Sequence, residues 1–489
     1  MKKYLRIHDN DLVAVALTNL RKGEEVLGVT LLEDIPQGHK VALQDIEEGE
    51  PVIKYNAPIG YAKERISKGS WVHTHNVRTG LGENLDYTYT PAERPVFPPR
   101  KASFMGYRRA DGKVGIRNEI WVLPTVGCVN DIVTRVEREA QALKTEGIDA
   151  ILGFRHPYGC SQMGEDHQIF NKVFADLLHH PNAGGVLVLS LGCENSNLNA
   201  LKPYIGEYDE SRVKFLICQD VEDEVEEAMA LMRELIAVVS QDRRTECDAS
   251  DLIVGMKCGG SDGLSGITAN PTIGAFSDKL VACGGTTILT EVPEMFGAET
   301  LLMNRAKDEE VFEKTVRMIN GFKDYFRAHG QTIYENPSPG NKAGGITTLE
   351  DKALGCTQKS GSATVMDVLP YAGRVETKGL NLLYGPGNDL VAATALASSG
   401  AHLILFSTGR GTPWVTCVPT VKIASNSRLA AKKANWIDFN AGRLVEDKTL
   451  DELSEELFEQ VLRIASGEET KSEHDGYHDL AVFKQGVTV

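Results

Sequence analysis

Four apolar runs that end at Cys128, Cys160, Cys193 and Cys258 constrain the fold most strongly. Runs such as 122–128 (VLPTVGC) and 185–193 (GVLVLSLGC) show no polar alternation, which is the pattern of strands buried on both faces of a parallel sheet. Loops that leave the carboxyl ends of such strands carry the ligand chemistry of α/β proteins. The four thiols are therefore expected to line one crevice, against the plainer reading of free cysteine as a small buried hydrophobe.

A chain of 489 residues is too long for one core and suggests about three domains. Its net charge of −16 excludes a surface built to neutralise nucleic-acid phosphates or to settle on an acidic membrane. An anionic small-molecule substrate would need its own arginine or lysine to hold it against that field. The sequence contains no run of about 18 apolar residues, so no membrane span is expected. An odd count of 9 cysteines fits reduced thiols and a cytoplasmic location better than a disulfide framework.

Residues 1–87 hold short β-type runs separated by turn signals and predict an all-β domain. Residues 88–103 are rich in proline and read as an extended linker. Strand-like runs then alternate with helical stretches, the signature of βαβ units, and a polar break near residue 246 divides the remainder. The expected class is α/β multidomain, an N-terminal β domain followed by a two-part α/β body of residues 104–246 and 247–489 with largely parallel sheets.

Several constellations can carry chemistry. His73 and His75 share one face if their segment is a strand, and two imidazoles on one face can bind a divalent ion. The loop from Cys258 to Pro271 is dense in glycine and hydroxyls, which suits a cradle for an anionic oxygen. Three further small-residue loops, 336–345, 355–361 and 407–413, each hold one cation, Lys342, Lys359 and Arg410, as carboxylate-binding candidates. His156, four residues before Cys160, is the better acid/base candidate, with Glu291 and Glu294 as further carboxylates after a strand. Neither a nucleophile elbow, a Walker loop nor a dinucleotide fingerprint follows a suitable strand.

Segments 35–43, 69–76, 106–115, 258–271, 336–345 and 407–413 together resemble the altronate and galactarate dehydratase family of sugar-acid hydro-lyases. The resemblance implies an SAF-type β-clip domain at the N-terminus, a two-part dehydratase body, and dependence on Fe2+ with Mn2+ able to substitute. Residues 73–76 look like the altronate branch, which implies conversion of D-altronate to 2-dehydro-3-deoxy-D-gluconate and water. Ligands of the metal are expected among His73, His75, Cys128, Cys160, Cys193 and Cys258, with the cysteines favoured because the histidines differ between branches. His156 is assigned as base or acid, and Arg410 with Lys342 to the substrate carboxylate. Galactarate dehydration, sulfolactate desulfonation and non-catalytic sugar-acid binding stay open as alternatives, as does a homo-oligomer.

Overall fold

Glycine turns and short β-branched runs shape the N-terminal unit of the computed structural model, which describes residues 2–82 and 86–486. A four-stranded antiparallel sheet runs in the order Tyr4–Leu5, Val13–Ala16, Lys40–Ala42 and Trp71–Val72. A three-stranded one is formed by Pro51–Lys54, Ala57–Ala62 and Val77–Arg78. Val13, Val52, Ile59 and Val72 fill the space between them. The expected end of this unit at residue 87 follows residues 83–85, which lie outside the described residues. Residues 86–102 contain no regular element, yet they are strapped down: Tyr89 Oη donates to Ala306 O at 2.7 Å and Arg100 Nη1 to Glu455 Oε2 at 2.7 Å.

Beyond this strap, Ser103–Arg108 pairs antiparallel with Val114–Gly115 and Thr245–Asp248. Four strands then form a wholly parallel sheet in the order Ile151–Gly153, Glu119–Pro124, Ala183–Ser190 and Val213–Ile217. Alternation along Glu119–Pro124 sends Ile120 and Val122 into one core with Val133 and Met232, and Trp121 and Leu123 into another with Phe170 and Phe174. Helices therefore cover both faces, as a two-sided apolar strand requires.

Seven parallel strands form the C-terminal sheet, ordered Val365–Leu369, Gly379–Leu383, Thr286–Leu289, Ile253–Cys258, Leu403–Thr408, Thr420–Ala424 and Phe439–Asn440. The chain starts at Ile253–Cys258, passes to Thr286–Leu289 and the edge strand Val365–Leu369, inserts Gly379–Leu383 between those two, and returns to Leu403–Thr408 on the other side. Cys258, opposite Ser407, thus stands at the topological switch point, where open α/β sheets leave a crevice at the carboxyl edge.

The two parallel sheets face the same way. The helices Gly164–Leu178 and Asp389–Ser398 pack together. Asp176, near the end of the first, accepts from Arg374, and the neighbouring Val375 N–H donates to Ser399 O at 3.1 Å, just past the end of the second. Both helices therefore run in one direction and begin at the carboxyl edges of their sheets.

The β unit is locked to the C-terminal unit through a buried charge. Asp351 accepts from Lys40 Nζ at 2.8 Å and from Lys54 Nζ at 2.9 Å, and all three side chains are at most 3% exposed. Burial opposes ionisation of Asp351, but the two ammonium groups outweigh it and hold the carboxyl well below the usual range. A depressed carboxyl stabilises the fold fully above its unfolded value of about 3.9 and loses that contribution as pH falls. Asp351→Asn leaves two buried ammoniums without a counter-charge, and denaturant titration is expected to show a loss of roughly 3–5 kcal/mol. A loss below about 1 kcal/mol, the scale of an exposed pair, would show that the three groups do not form a buried unit.

Candidate active site

Two thiols and a carboxylate meet at the carboxyl edge of the seven-stranded sheet. Cys258 comes from the end of its strand, Glu294 from the turn Val292–Glu294 after the neighbouring strand, and Cys356 from the last residue of the helix Leu349–Cys356. The two sulfurs lie 3.0 and 3.1 Å from Glu294 Oε2 and 3.5 Å from each other. Among the described residues this is the one group of three potential metal ligands whose donor atoms all fall within 4.8 Å.

Lysines surround the trio. Lys359 Nζ donates to Cys258 Sγ at 3.0 Å, and Lys352 Nζ pairs with Glu294 Oε1 at 2.7 Å. Lys257 bridges Glu291 at 3.0 Å and Asp389 at 2.7 Å, while the Glu291 carboxylate also accepts the Cys258 N–H at 2.8 Å. Glu291 is held in the left-handed region at φ 71°, which turns its carboxylate back toward Cys258.

The electrostatics follow from this crowding. Burial pushes the Glu291 carboxyl up, and the nearby Glu294 charge pushes it further. Burial would raise Glu294 too, but Lys352 and Lys359 pull it down to about 2. The hydrogen bond between the thiols lowers Cys258 to about 6 and raises Cys356 well above the ordinary thiol range, so the pair holds one proton between them. If Cys258, Cys356, Glu291, Glu294 and Asp389 all ionise, they exceed the charge of Lys257, Lys352 and Lys359 by that of a divalent cation. The donor set, two thiolates and a carboxylate, suits a borderline-soft ion. Ser261 Oγ, buried and without a hydrogen-bond partner, lines a small cavity together with Lys352 and Cys356 and leaves room for one more oxygen contact.

The glycine-rich loops converge on this trio. Lys352 Nζ reaches Asn336 Oδ1 at 2.9 Å and Asn341 Oδ1 at 3.2 Å, and Asn341 Nδ2 donates to Ser261 O at 2.9 Å. Arg410 Nη1 donates to Gly340 O at 3.3 Å, in the same short helix Pro339–Ala343 that carries Lys342. Arg410 is exposed and Lys342 half-buried, so both cations stand at the rim and not in the buried cluster. The turn at Gly38 of the β unit wedges between these loops, and a Cβ at Gly263 would lie 2.0 Å from Gly38 O. Only glycine permits that approach.

Other expected site residues are placed differently. His73 and His75 do not share a strand face, because the strand ends at Val72 and Asn76 Oδ1 caps His73 N–H at 2.9 Å into a turn. His73 is buried against Thr347 Oγ1 at 3.3 Å, with burial lowering its ring to about 3, while His75 is exposed. His39, unremarked in the sequence, stacks edge-on with His73 at 4.8 Å and lies 3.4 Å from Ala343 O. His156 is fully hydrogen-bonded inside its own loop: Nε2 donates to Pro124 O at 2.6 Å and Nδ1 accepts from Tyr158 N–H at 3.2 Å. Burial lowers it to about 4, so this ring braces two loops and has no nitrogen left for proton transfer.

The four expected thiols also separate. Cys258 is buried in the C-terminal unit, whereas Cys128, Cys160 and Cys193 are exposed on the second unit, because their strands belong to two different sheets. Cys356 was missed because it ends a helix. Its signal was the proximity of Cys356 to Lys359 in a small-residue segment.

A switch-point site beneath a β-clip cap defines an α/β enzyme with an accessory β domain. Three family models match in succession: the altronate/galactarate dehydratase SAF domain over residues 2–80, the D-galactarate dehydratase/altronate hydrolase second domain over 106–240, and the D-galactarate/altronate dehydratase C-terminal domain over 249–488. The chain is 53% identical over 495 residues to altronate dehydratase of Escherichia coli (strain K12), and 50% identical over 500 residues to that of Bacillus subtilis (strain 168), with 100% of each chain covered. It is 35% identical over 503 residues to galactarate dehydratase (L-threo-forming) of Escherichia coli (strain K12), covering 98% of this chain and 96% of that one. The chain belongs to the altronate/galactarate dehydratase family.

His156→Gln is expected to leave kcat within a few-fold of wild type and to lower unfolding stability by about 1–3 kcal/mol, the cost of orphaned buried partners. A loss of two orders of magnitude in kcat without destabilisation would return it to acid/base catalysis.

Proposed function

We propose that the chain is a sugar-acid hydro-lyase acting on D-altronate. The observation that carries this reading is the full-length identity of 53% and 50% to two altronate dehydratases against 35% to a galactarate dehydratase. Dehydration removes the proton next to the carboxylate and expels the neighbouring hydroxyl, so negative charge builds on the carboxylate as the carbon–hydrogen bond breaks. Arg410 and Lys342, at the rim of the glycine-rich loops, hold that carboxylate. Lys352, bonded to Glu294 and to the two asparagines of the loop, ties the anchoring segment to the buried trio.

The cofactor is Fe2+, with Mn2+ able to replace it, held by Cys258, Glu294 and Cys356. When bound, the ion supplies a Lewis acid that offsets charge developing on oxygen. The close grouping of two thiols and a carboxylate and the unpartnered Ser261 hydroxyl support this assignment. The substrate is a small sugar acid, and no helix among the described residues is long and apolar enough to cross a membrane.

The reduced protein with Fe2+ is expected to form a 2-keto-3-deoxy acid from D-altronate with a larger kcat/KM than from galactarate, followed by a coupled keto-acid assay. A larger value on galactarate would overturn the branch assignment, and release of sulfite from sulfolactate would move the chain to desulfonation. Cys258→Ser and Glu294→Gln should each lower bound Fe2+ and kcat together while the circular dichroism stays native. Arg410→Ala should raise KM by roughly tenfold, the scale of one lost charge-assisted contact, with a smaller change in kcat.

A further inference from the structure

Seven thiols lie outside the buried trio, and three of them are placed unusually for cysteine. Cys128, Cys160 and Cys193 are all exposed, although free cysteine is among the most buried residue types. They follow three adjacent parallel strands, Glu119–Pro124, Ile151–Gly153 and Ala183–Ser190, with the first in the middle. Each loop therefore leaves the sheet about 4.8 Å from its neighbour.

The loops are bonded to one another through residues that flank the thiols. Gly127 N–H donates to Tyr158 O at 2.9 Å, joining the Cys128 and Cys160 loops. Ser161 N–H donates to Asn195 Oδ1 at 2.9 Å and Ser196 N–H to Gly159 O at 3.3 Å, joining the Cys160 and Cys193 loops. Glu194, buried beside Cys193, accepts from Gly192 N–H at 2.7 Å and from the Thr125 and Ser190 hydroxyls. Ser196 Oγ is fully buried and has no hydrogen-bond partner. The three sulfurs are thus held on a braced platform beside an unsatisfied donor.

Their arrangement on three braced loops bears on the ligand. Among the described residues they do not form a group with donor atoms within 4.8 Å, so one shared ion is not enclosed. A polynuclear group asks for wider spacing, because each thiolate binds a different iron. The helix Gly164–Leu178 begins beside Cys160, and its packing against Asp389–Ser398 places this platform on the same side as Lys257 and Asp389 of the catalytic cluster.

We propose that Cys128, Cys160 and Cys193 bind a four-iron iron–sulfur cluster whose fourth iron lacks a protein ligand and takes hydroxyl or carboxylate oxygens of the sugar acid. This rests on the hydro-lyase reading for the ligand, not for the cluster. Each thiol releases its proton to solvent as its sulfur takes iron, and the assembly medium supplies two Fe2+, two Fe3+ and four sulfides, which make up a core of net charge 2+. Ligation by the thiols and coordination of the sugar acid transfer no electron.

The test uses the full chain, loaded anaerobically with equal amounts of Fe2+ and Fe3+ and with sulfide, and then desalted. Iron and acid-labile sulfide are expected in near-equal amounts, with visible charge-transfer absorption, and the dithionite-reduced protein should give an EPR signal that D-altronate perturbs. Loading should protect Cys128, Cys160 and Cys193, but not all other thiols, from alkylation mapped by mass spectrometry. Cys128→Ala, Cys160→Ala and Cys193→Ala should each lose most of the sulfide with an unchanged melting temperature, while Cys258→Ser keeps it. Iron bound without sulfide, or sulfide retained in all three variants, overturns the cluster; an EPR signal indifferent to D-altronate overturns the open iron. Sulfide bound as expected in a protein that fails to dehydrate D-altronate leaves the cluster standing and removes the hydro-lyase reading instead.

Discussion

Every residue of the eight-residue helix Leu349–Cys356 is buried, and three of them carry charge. Burying so many charges in one element is tolerable only if each has a partner. Glu350 accepts from Thr79 and Gly80 of the β unit, Asp351 from Lys40 and Lys54, and Lys352 pairs with Glu294. Lys352 and Cys356 are one helical turn apart and so face the same way, into the trio. The remaining architecture depends on this element, because the β unit, the switch point and the buried trio each hold a different side of it.

The β unit therefore acts on the site through charge as much as through contact. Without Lys40 and Lys54, Asp351 would stand as an uncompensated carboxylate next to Lys352, drawing on the cation that holds Glu294 down. Tyr55 Oη and Gly38 press on Gly266 and Gly263 of the loop after Cys258, so the same unit also fixes the backbone of that loop. Such a site is pre-organised by packing, and loop glycines are the means by which two domains bring their backbones into contact.

Much of this was legible in the sequence where the signal is local. Unbroken apolar runs located the parallel strands, the glycine turns marked the β unit, and the loops at 258–271, 336–345 and 407–413 do converge, as Asn341 on Ser261 and Arg410 on Gly340 attest. What local patterns do not carry is strand order. Cys128, Cys160, Cys193 and Cys258 look alike as strand ends, yet the first three belong to one sheet and the fourth to another. Lys40 and Asp351, 311 residues apart, leave no mark on each other's neighbourhood in the chain. His73 and His75 misled for a related reason, since Asn76 caps the turn and ends the period-two alternation that would have put both rings on one face.

Burial then separates two kinds of thiol chemistry that composition alone merges. Cys258 and Cys356 lie in a buried, lysine-compensated setting where a shared proton or a divalent ion balances them. Cys128, Cys160 and Cys193 are open to solvent on loops that are hydrogen-bonded to one another. The two helices that join the units start at the same edge of their sheets, so the buried and the open thiols both lie at carboxyl ends of parallel strands. The same residue type thus meets two environments, one in which neighbouring lysines and carboxylates set its charge and one in which solvent does.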